Sequence, residues 1–200
     1  MLEIVTPAST GHLTVLDRVK TELSISGTSE DAKLTTLIGE ASDLIAAYCN
    51  RDTFGREELR QTERVTAARE CIILARDLAV TVTEVTADGT VLDPADYELD
   101  GSLLYRLEDD ERISWEGEKV VIEYETGFTL LGDLPFALER AALDIVVNLY
   151  RSAGRDTSIR TEMVEGVGST SYTDLRANSG LPLSAERIQA LSRYRLIVAA

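Results

Sequence analysis

The stretch TSEDAKLTTLIGEASDLIAAY, from Thr28 to Tyr48, sets the fold class of the helical part of the chain. Thr28 and Asp31 have the spacing of a capping box, which predicts that a helix begins there. The apolar residues that follow recur at alternating steps of three and four, so they share one face of a helix of about five turns. They are Leu34, Leu37, Ile38, Ala41, Leu44, Ile45 and Tyr48. The apolar face of this amphipathic helix must be covered by a second apolar surface.

Two further segments with helical periodicity lie on either side of this stretch. Upstream, Thr14 and Asp17 repeat the capping-box spacing and predict a short helix from Val15 to Leu23. Downstream, Asp133 as the cap and Pro135 in the first turn predict a third helix. Its broad apolar face consists of Ala137, Ala141, Ala142, Ile145, Val146, Leu149 and Tyr150. We expect this third helix to pack against the helix that ends at Tyr48.

Between these helices the apolar period changes from helical to extended. Short runs of β-branched and aromatic residues are separated by turn signals such as Asp88-Gly89, which predicts an antiparallel β module. Val120, Ile122 and Tyr124 alternate with more polar residues, as in a sheet with one wet face. The candidate strands are Leu59 to Val65, Cys71 to Leu74, Val80 to Thr86, Tyr97 to Leu99, Leu103 to Arg106 and Lys119 to Tyr124.

The predicted fold class is therefore α+β: a small helical bundle with an inserted antiparallel β module and an extended C-terminal arm. The arm contains a strand from Ile159 to Val164, and Ser184 opens a short final helix. We expect four regions, which are residues 1–57 with the N-terminal helices, 58–130 with the β module, 131–154 with the long helix, and 155–200 with the arm.

The arm contains a glycine pattern that superficially suggests nucleotide binding. In RTEMVEGVGSTSY, Arg160 to Tyr172, Gly166 and Gly168 follow an apolar run, but the third glycine position of the fingerprint is Ser171. A phosphate-binding loop also leads directly into a helix, whereas here strand and turn residues follow. The segment is better explained as an extended arm with a glycine bend.

The charge of the chain is strongly negative and unevenly distributed. The formal net charge is −15, and the stretch from Val82 to Glu125 holds fourteen Asp or Glu residues against three basic ones. Binding to a nucleic-acid backbone relies on Lys and Arg, so this balance argues against it. Such a run of charge is ordinarily a solvated face, and here its concentration suggests repulsion of another anionic surface.

The usual enzymatic patterns are missing from the sequence. His12 is the only histidine and lies in an N-terminal tail that is expected to be mobile, which disfavours a Ser-His-Asp arrangement. Asp109, Asp110 and Glu111 lack the ligand order of a calcium loop, and a solvated turn explains them better. We predict neither an enzyme nor a bound metal or cofactor. Trp115 is expected to cover the sheet.

Compartment and subunit contacts are only partly constrained. Cys49 and Cys71 form no zinc pattern and fit a reducing compartment. The N-terminus is not a secretory signal, and no segment is long enough to span a membrane, so a soluble protein made in the cytoplasm is expected. The apolar loop FTLLGDLP, Phe128 to Pro135, is either a hinge packed inward or a contact for another subunit.

The order of these parts resembles the head-to-tail connector, or adaptor, proteins of long-tailed phages and of phage-derived gene transfer agents. The likeness covers nearly the whole chain. The segments that carry it are, in order, LTVLDRVKTELSI, SEDAKLTTLIGEASDLIAAYCNR, VTEVTADGTVLDPADYELDGSLLYRL, VVIEYETGF, DLPFALERAALDIVVNLY and IRTEMVEGVGSTSY. The β insert is longer here than in the most compact members of that family.

The resemblance implies a structural protein of the virion neck, made in the host bacterial cytoplasm. It implies a ring, typically of twelve subunits, that docks beneath the portal and continues the DNA channel. The implied partners are the portal protein, a tail-side connector or stopper protein and further copies of the chain. DNA would pass through the channel without specific binding, and the free protein would be a monomer until it meets the portal.

Two sets of residues are candidates for these roles. An acidic lumen repels phosphate and would ease the passage of DNA, which suggests a channel or solvent face for Glu108, Asp109, Asp110 and Glu111. A strand with a glycine bend can add to the sheet edge of a neighbour, so the arm is the candidate portal or neighbour contact. The arm residues concerned are Ile159, Met163, Val164, Gly166, Val167, Gly168, Tyr172, Leu181, Ile188, Leu191 and Tyr194.

A different function class uses the same carboxylates. An acidic protein that mimics DNA would occupy the basic groove of a nucleic-acid enzyme, and its binding would weaken sharply with salt. It would be a monomer or dimer rather than a ring. Assembly onto a portal distinguishes the two classes.

Overall fold

The computed structural model describes residues 1–9, 11–117, 119–130, 132–153 and 181–196, and the backbone of 161–164 and 168–171. The chain divides into two compact units, each made of segments that are discontinuous in sequence. The β unit comprises Met1–Thr10 with Thr53–Thr129, and the helical unit comprises Gly11–Asp52 with Leu130–Ala200.

The helical unit contains four described helices. They are α1, Leu16–Leu23; α2, Asp31–Tyr48; α3, Phe136–Ser152; and α4, Ala185–Ser192. The predicted pairing of the two long helices is confirmed, because α2 packs against α3, and α1 and α4 also contact α3. The fully buried residues Leu34, Ile38 and Ile45 of α2 and Leu138 and Ile145 of α3 form the centre of this unit.

Three of the four predicted helix caps are wrong. α1 and α2 begin after Val15 and Glu30, and neither residue makes a side-chain cap hydrogen bond. Thr14 is instead almost fully buried, and its hydroxyl has no hydrogen-bond partner among the described residues. α3 begins after Pro135 rather than after Asp133. Only Ser184 caps as expected, by accepting a hydrogen bond from the Arg187 backbone N–H.

The β unit contains two antiparallel sheets. The strands of the larger one are β1, Leu2–Thr6; β2, Glu57–Arg64; β4, Thr81–Ala87; β5, Thr90–Val91; and β9, Lys119–Thr126. Their order is β1-β2-β9-β4-β5. The smaller sheet has β3, Ile72–Ile73; β6, Tyr97–Asp100; β7, Leu103–Glu108; and β8, Glu111–Ile113, in the order β3-β7-β6 with β8 also paired to β7.

Buried residues of both sheets pack together in one hydrophobic core. In β9, Val120, Ile122 and Tyr124 are buried, which confirms the predicted alternation. Leu104 of β7 and the fully buried Trp115 belong to the same core, and the Trp115 indole N–H donates to the Leu104 carbonyl at 3.1 Å. Trp115 therefore covers the sheet as expected. Burial also raises the pKa of Tyr124 to about 12.

The first strand was not predicted, because the N-terminus was expected to be a mobile tail. Instead β1 pairs antiparallel with β2, with Leu2 opposite Gln61 and Ile4 opposite Leu59. His12 is half-buried rather than exposed, and a Cβ on Gly39 of α2 would lie 3.7 Å from the His12 Nε2 atom. The α+β class is confirmed, because the helices lie in one unit and the two larger antiparallel sheets lie in the other.

Candidate functional site

The C-terminal segment from residue 181 to residue 196 is seated on the helices of its own unit. Leu181 and Leu183 are buried, and Leu191 of α4 is fully buried. Polar bonds reinforce this packing. The Asn148 side chain donates to the Pro182 carbonyl at 2.9 Å, and the Leu196 N–H donates to the Cys49 carbonyl at 2.9 Å. The segment is thus part of the helical core in the free chain.

An ion-pair network joins α1, α3 and α4. The Arg140 guanidinium donates to both carboxylate oxygens of Glu22, at 3.1 and 2.9 Å, and lies 3.1 Å from Asp144. Arg187 of α4 donates to the other Asp144 oxygen at 2.9 Å. The hydrogen bonds from Arg140, followed by its charge, lower the pKa of Glu22 below the ordinary value of 4.5. Bidentate pairing of this kind fixes geometry as well as adding energy.

The predicted contact residues of the arm fall into three groups. Leu181 and Leu191 are buried by their own chain, whereas Ile188 and Tyr194 are half-buried and remain accessible. Met163, Val164 and Gly168 belong to a β-hairpin, of which the structure describes the backbone. The other predicted contacts, Ile159, Gly166, Val167 and Tyr172, lie outside the described residues. The structure therefore leaves Ile188 and Tyr194, along with the hairpin, as contact candidates.

That hairpin consists of β10, Thr161–Val164, and β11, Gly168–Ser171. The two strands pair antiparallel, with Thr161 opposite Ser171 and Val164 opposite Gly168. In the part of the chain that the structure describes, the hairpin pairs with no third strand. The strand character that the sequence predicts for residues 161–164 is confirmed.

The acidic candidate residues form one turn between β7 and β8. Glu108 pairs with Glu111 across the strands, and Asp109 and Asp110 are the two turn residues. Both turn residues have positive φ values, 51° and 67°, as a two-residue hairpin of type I′ requires. All four side chains are exposed. Four carboxylates thus project together from the tip of one hairpin.

Ion pairs elsewhere in the β unit engage part of the remaining charge. On the outer face of the larger sheet, Arg60 lies 2.8 Å from Glu123 and 3.6 Å from Glu3. In the smaller sheet, Arg112 lies 2.7 Å from Glu98 and its hydrogen bond lowers the pKa of that carboxyl. These arginines hold carboxylates on the strands, while the acidic turn projects beyond them.

The described side chains form no metal centre, and the Cys49 thiol is not an activated one. No group of three or more His, Cys, Asp or Glu residues in the described ranges is placed to hold a metal ion. Cys49 is buried, and this burial raises its pKa to about 11, so the thiol is poorly suited to act as a nucleophile. None of the described helices is long and apolar enough to cross a membrane.

A further exposed feature was missed in the sequence. Leu2, Ile4 and Val5 of β1 are 36%, 50% and 49% exposed, although they lie in a paired strand. The run LEIVT is rich in strand-forming residues, which is the signal that could have identified it. Its position at the end of the sequence favoured a tail instead.

Comparison with solved structures gives two matches that extend over the whole chain, and the first of them shows a similar fold. One is from the neck of an empty GTA particle computed with C6 symmetry, with 17% identity, a TM-score of 0.55, and coverage of 100% of this chain and 97% of that chain. The other is from the neck of a native GTA particle computed with C12 symmetry, with 18% identity, a TM-score of 0.49 and the same coverage. No curated protein matches the sequence.

The family comparison is more decisive than the likeness of fold. The model of the family described as head completion protein matches residues 12–195, which is nearly the whole chain. This match confirms the resemblance that the order of sequence segments indicated. The chain therefore belongs to the head completion protein family, structural proteins of the head-tail junction.

Proposed function

We propose that the protein assembles as a ring beneath the portal, joins the DNA-filled head to the tail and continues the DNA channel. The family match over residues 12–195 carries this proposal. The fold it shares with a chain from the neck of a GTA particle supports it. Twelve subunits is the number that the resemblance implies. The partners would be the portal protein, a tail-side connector or stopper protein, and the neighbouring copies.

The acidic turn is the candidate channel face. Glu108, Asp109, Asp110 and Glu111 project from one hairpin tip and would bring many negative charges together in a ring. Like charges at subunit interfaces would oppose assembly, so the tip is better placed toward solvent or DNA. Carboxylates there would repel phosphate and let the duplex pass without being held.

The arm is the candidate contact with the portal or a neighbour. Ile188 and Tyr194 are half-buried on the free chain and can gain further burial in an assembly. The β10–β11 hairpin offers backbone groups that can extend another sheet. Leu181 and Leu191 contribute indirectly, because their burial seats the arm on the helical unit.

The test is to mix purified protein with portal-containing, DNA-filled heads that lack it, and to image the portal vertex by electron microscopy. Isolated protein and heads alone are the controls. We expect an added ring below the portal, with the acidic turn at its lumen. Heads without added density, together with recovery of the protein on a nucleic-acid enzyme, would overturn the proposal in favour of DNA mimicry.

A further inference from the structure

Among the strands that the structure describes, β1 is an edge strand of the larger sheet, with β2 on one side and no strand on the other. Met1 and Thr62 exchange both backbone hydrogen bonds, since the Met1 amine donates to the Thr62 carbonyl at 2.7 Å and the Thr62 N–H donates to the Met1 carbonyl at 2.8 Å. In an antiparallel pair such residues alternate with residues whose backbone groups point the other way. The N–H and C=O groups of Leu2 and Ile4 therefore point outward from the sheet.

The side chains of the same two residues are also incompletely covered. Leu2 and Ile4 lie opposite Gln61 and Leu59, which are buried, so they share the core-facing side of the sheet. They are nonetheless 36% and 50% exposed, so the core does not extend across β1. A strand added at this edge would bond the free backbone groups and cover the apolar side chains at once.

The two edges of this sheet differ in how they are protected. The opposite edge is β5, Thr90–Val91, which is only two residues long. β1 has five residues, and its sequence LEIVT contains neither lysine nor proline, the residues that usually block unwanted pairing. Glu3 and the register shift between Ile4 and Thr6 protect this edge only in part, because Leu2 and Ile4 remain exposed apolar residues on it.

The β10–β11 hairpin would in turn be stabilised by pairing with a further strand. An isolated two-stranded hairpin is marginally stable in water and gains from a third strand. β10 and β11 have four residues each, close to the five of β1. Pairing of β1 with the hairpin uses two different surfaces, so it can propagate from subunit to subunit around a ring. Pairing of β1 with a second β1 would close a two-fold dimer and stop there.

From these observations we propose that the β1 edge of one subunit receives the β10–β11 hairpin of a second copy, forming a sheet that continues across the subunit boundary. This inference rests on the proposed ring and adds to it the identity of both contacting segments. It assigns the arm hairpin to the neighbour, leaving Ile188 and Tyr194 as candidates for the portal.

Crosslinking between copies tests the pairing directly. Subunits with Ile4→Cys and subunits with Ser171→Cys, both in a Cys71→Ser background, are mixed, assembled onto portal-containing heads and treated with a short bis-maleimide. Cys49 remains, because it is buried. We expect a crosslinked pair containing one subunit of each kind. Val91→Cys in place of Ile4→Cys is the control, since Val91 is also exposed and apolar but lies at the other edge.

A substitution pair gives a second readout. Ile4→Lys places a charge on the proposed pairing edge and should lower ring occupancy on heads by about tenfold, whereas Val91→Lys should leave it nearly unchanged. Unfolding of the purified variants by heat checks that both remain folded. If Ile4→Lys does not fold, the crosslink alone decides.

The outcomes separate this inference from the function on which it rests. Rings that form without the Ile4–Ser171 crosslink, or that form equally well with Ile4→Lys, would overturn the strand pairing and leave the neck function intact. The absence of rings with the unaltered protein would overturn both. A crosslink restricted to Ile4 and Ser171 together with the selective loss in Ile4→Lys would establish the pairing.

Discussion

Gly127 shows how a single residue can constrain the β unit. It follows β9, has a φ of +90°, and a Cβ at this position would lie 2.2 Å from the Gly55 carbonyl oxygen and 2.7 Å from its carbon. Both obstacles are backbone atoms, so no side chain can move aside. The Gly127 N–H also donates to the Leu78 carbonyl at 2.8 Å, which ties the chain down on a second side.

Gly127→Ala is therefore expected to lower the free energy of unfolding by at least about 2 kcal/mol, from a left-handed conformation combined with a backbone clash. Gly117→Ala is the matched control. Its φ is +64° and nothing lies within 4 Å of the added Cβ, so only the conformational cost of about 1 kcal/mol applies. Urea unfolding measures both, and equal losses would mean that the close approach does not matter.

The acidic turn offers a second test at the scale of one residue. Asp110 has a φ of 67° at the second turn position, where glycine is favoured. Asp110→Gly should raise stability by about 1 kcal/mol, because it removes both the conformational cost and one of four neighbouring like charges. Asp110→Ala removes the charge but keeps a Cβ. If both variants unfold at the same temperature, backbone conformation is not the reason.

At the scale of elements, the ion pairs of Arg140 should make the stability of the helical unit depend on pH. The pKa of Glu22 is lowered by Arg140, so the stabilisation is fully present above pH 4.5 and is lost as the pH falls through the lower folded pKa. Arg140→Gln should reduce stability at pH 7, with a difference from the unaltered protein that narrows below pH 4.5. Urea unfolding at both pH values measures this.

A surface ion pair in the same unit provides the control for that experiment. Lys33 lies 3.6 Å from Glu30, with both side chains well exposed, and exposed pairs of this kind contribute little. Glu30→Gln removes this pair but keeps the Lys33 ammonium 4.5 Å from the centre of the Tyr150 ring, so it should have a small effect at either pH. A pH-independent loss in Arg140→Gln would instead indicate that packing of the Arg140 side chain, rather than its charge, holds the helices together.

The elements that periodicity specifies were predictable from sequence, and those that tertiary contacts specify were not. α2 and β9 follow directly from steps of three and four and from strict alternation. The predicted caps at Thr14 and Asp133 failed because Thr14 is almost fully buried and because α3 begins only after Pro135. The run LEIVT signals a strand, but pattern alone did not show that β1 is paired, because its partner in the described part of the chain, β2, lies more than fifty residues further along.

At the scale of the whole molecule, the concentration of charge makes a prediction about DNA movement. The double substitution Glu108→Lys and Glu111→Lys reverses the charge of an exposed cross-strand pair, and neither residue has a positive φ. In the proposed ring, it would place lysines from every subunit at the lumen. In assembled particles this double variant should slow DNA release by about tenfold at low salt, with recovery at high salt, because lysine binds phosphate with counterion release.

The control applies the same change of charge elsewhere. Glu40→Lys with Asp43→Lys alters two exposed acidic residues of α2 in the helical unit. We expect release rates close to those of unaltered particles, measured by nuclease access to emerging DNA. Equal slowing by the two double variants would show that overall charge, and not the acidic turn, determines the rate.

The candidate site was predictable only in part at this scale. Sequence composition located the acidic turn, because four consecutive carboxylates are exposed in almost any fold. It could not separate the buried Leu181 and Leu191 from the accessible Ile188 and Tyr194, since all four are simply apolar residues near a short helix. That distinction depends on which face of the arm meets α3, which only the folded unit defines.

The interleaving of the two units has a consequence for synthesis on the ribosome. The chain enters the β unit, leaves it after residue 10, and returns at residue 53. β9 lies between β2 and β4, so the larger sheet is complete only when residue 126 has emerged. α1 and α2 are translated before this point, but α3, against which both of them pack, is translated only after it. Folding is consequently postponed until late in translation, and the two units mature almost together rather than one after the other.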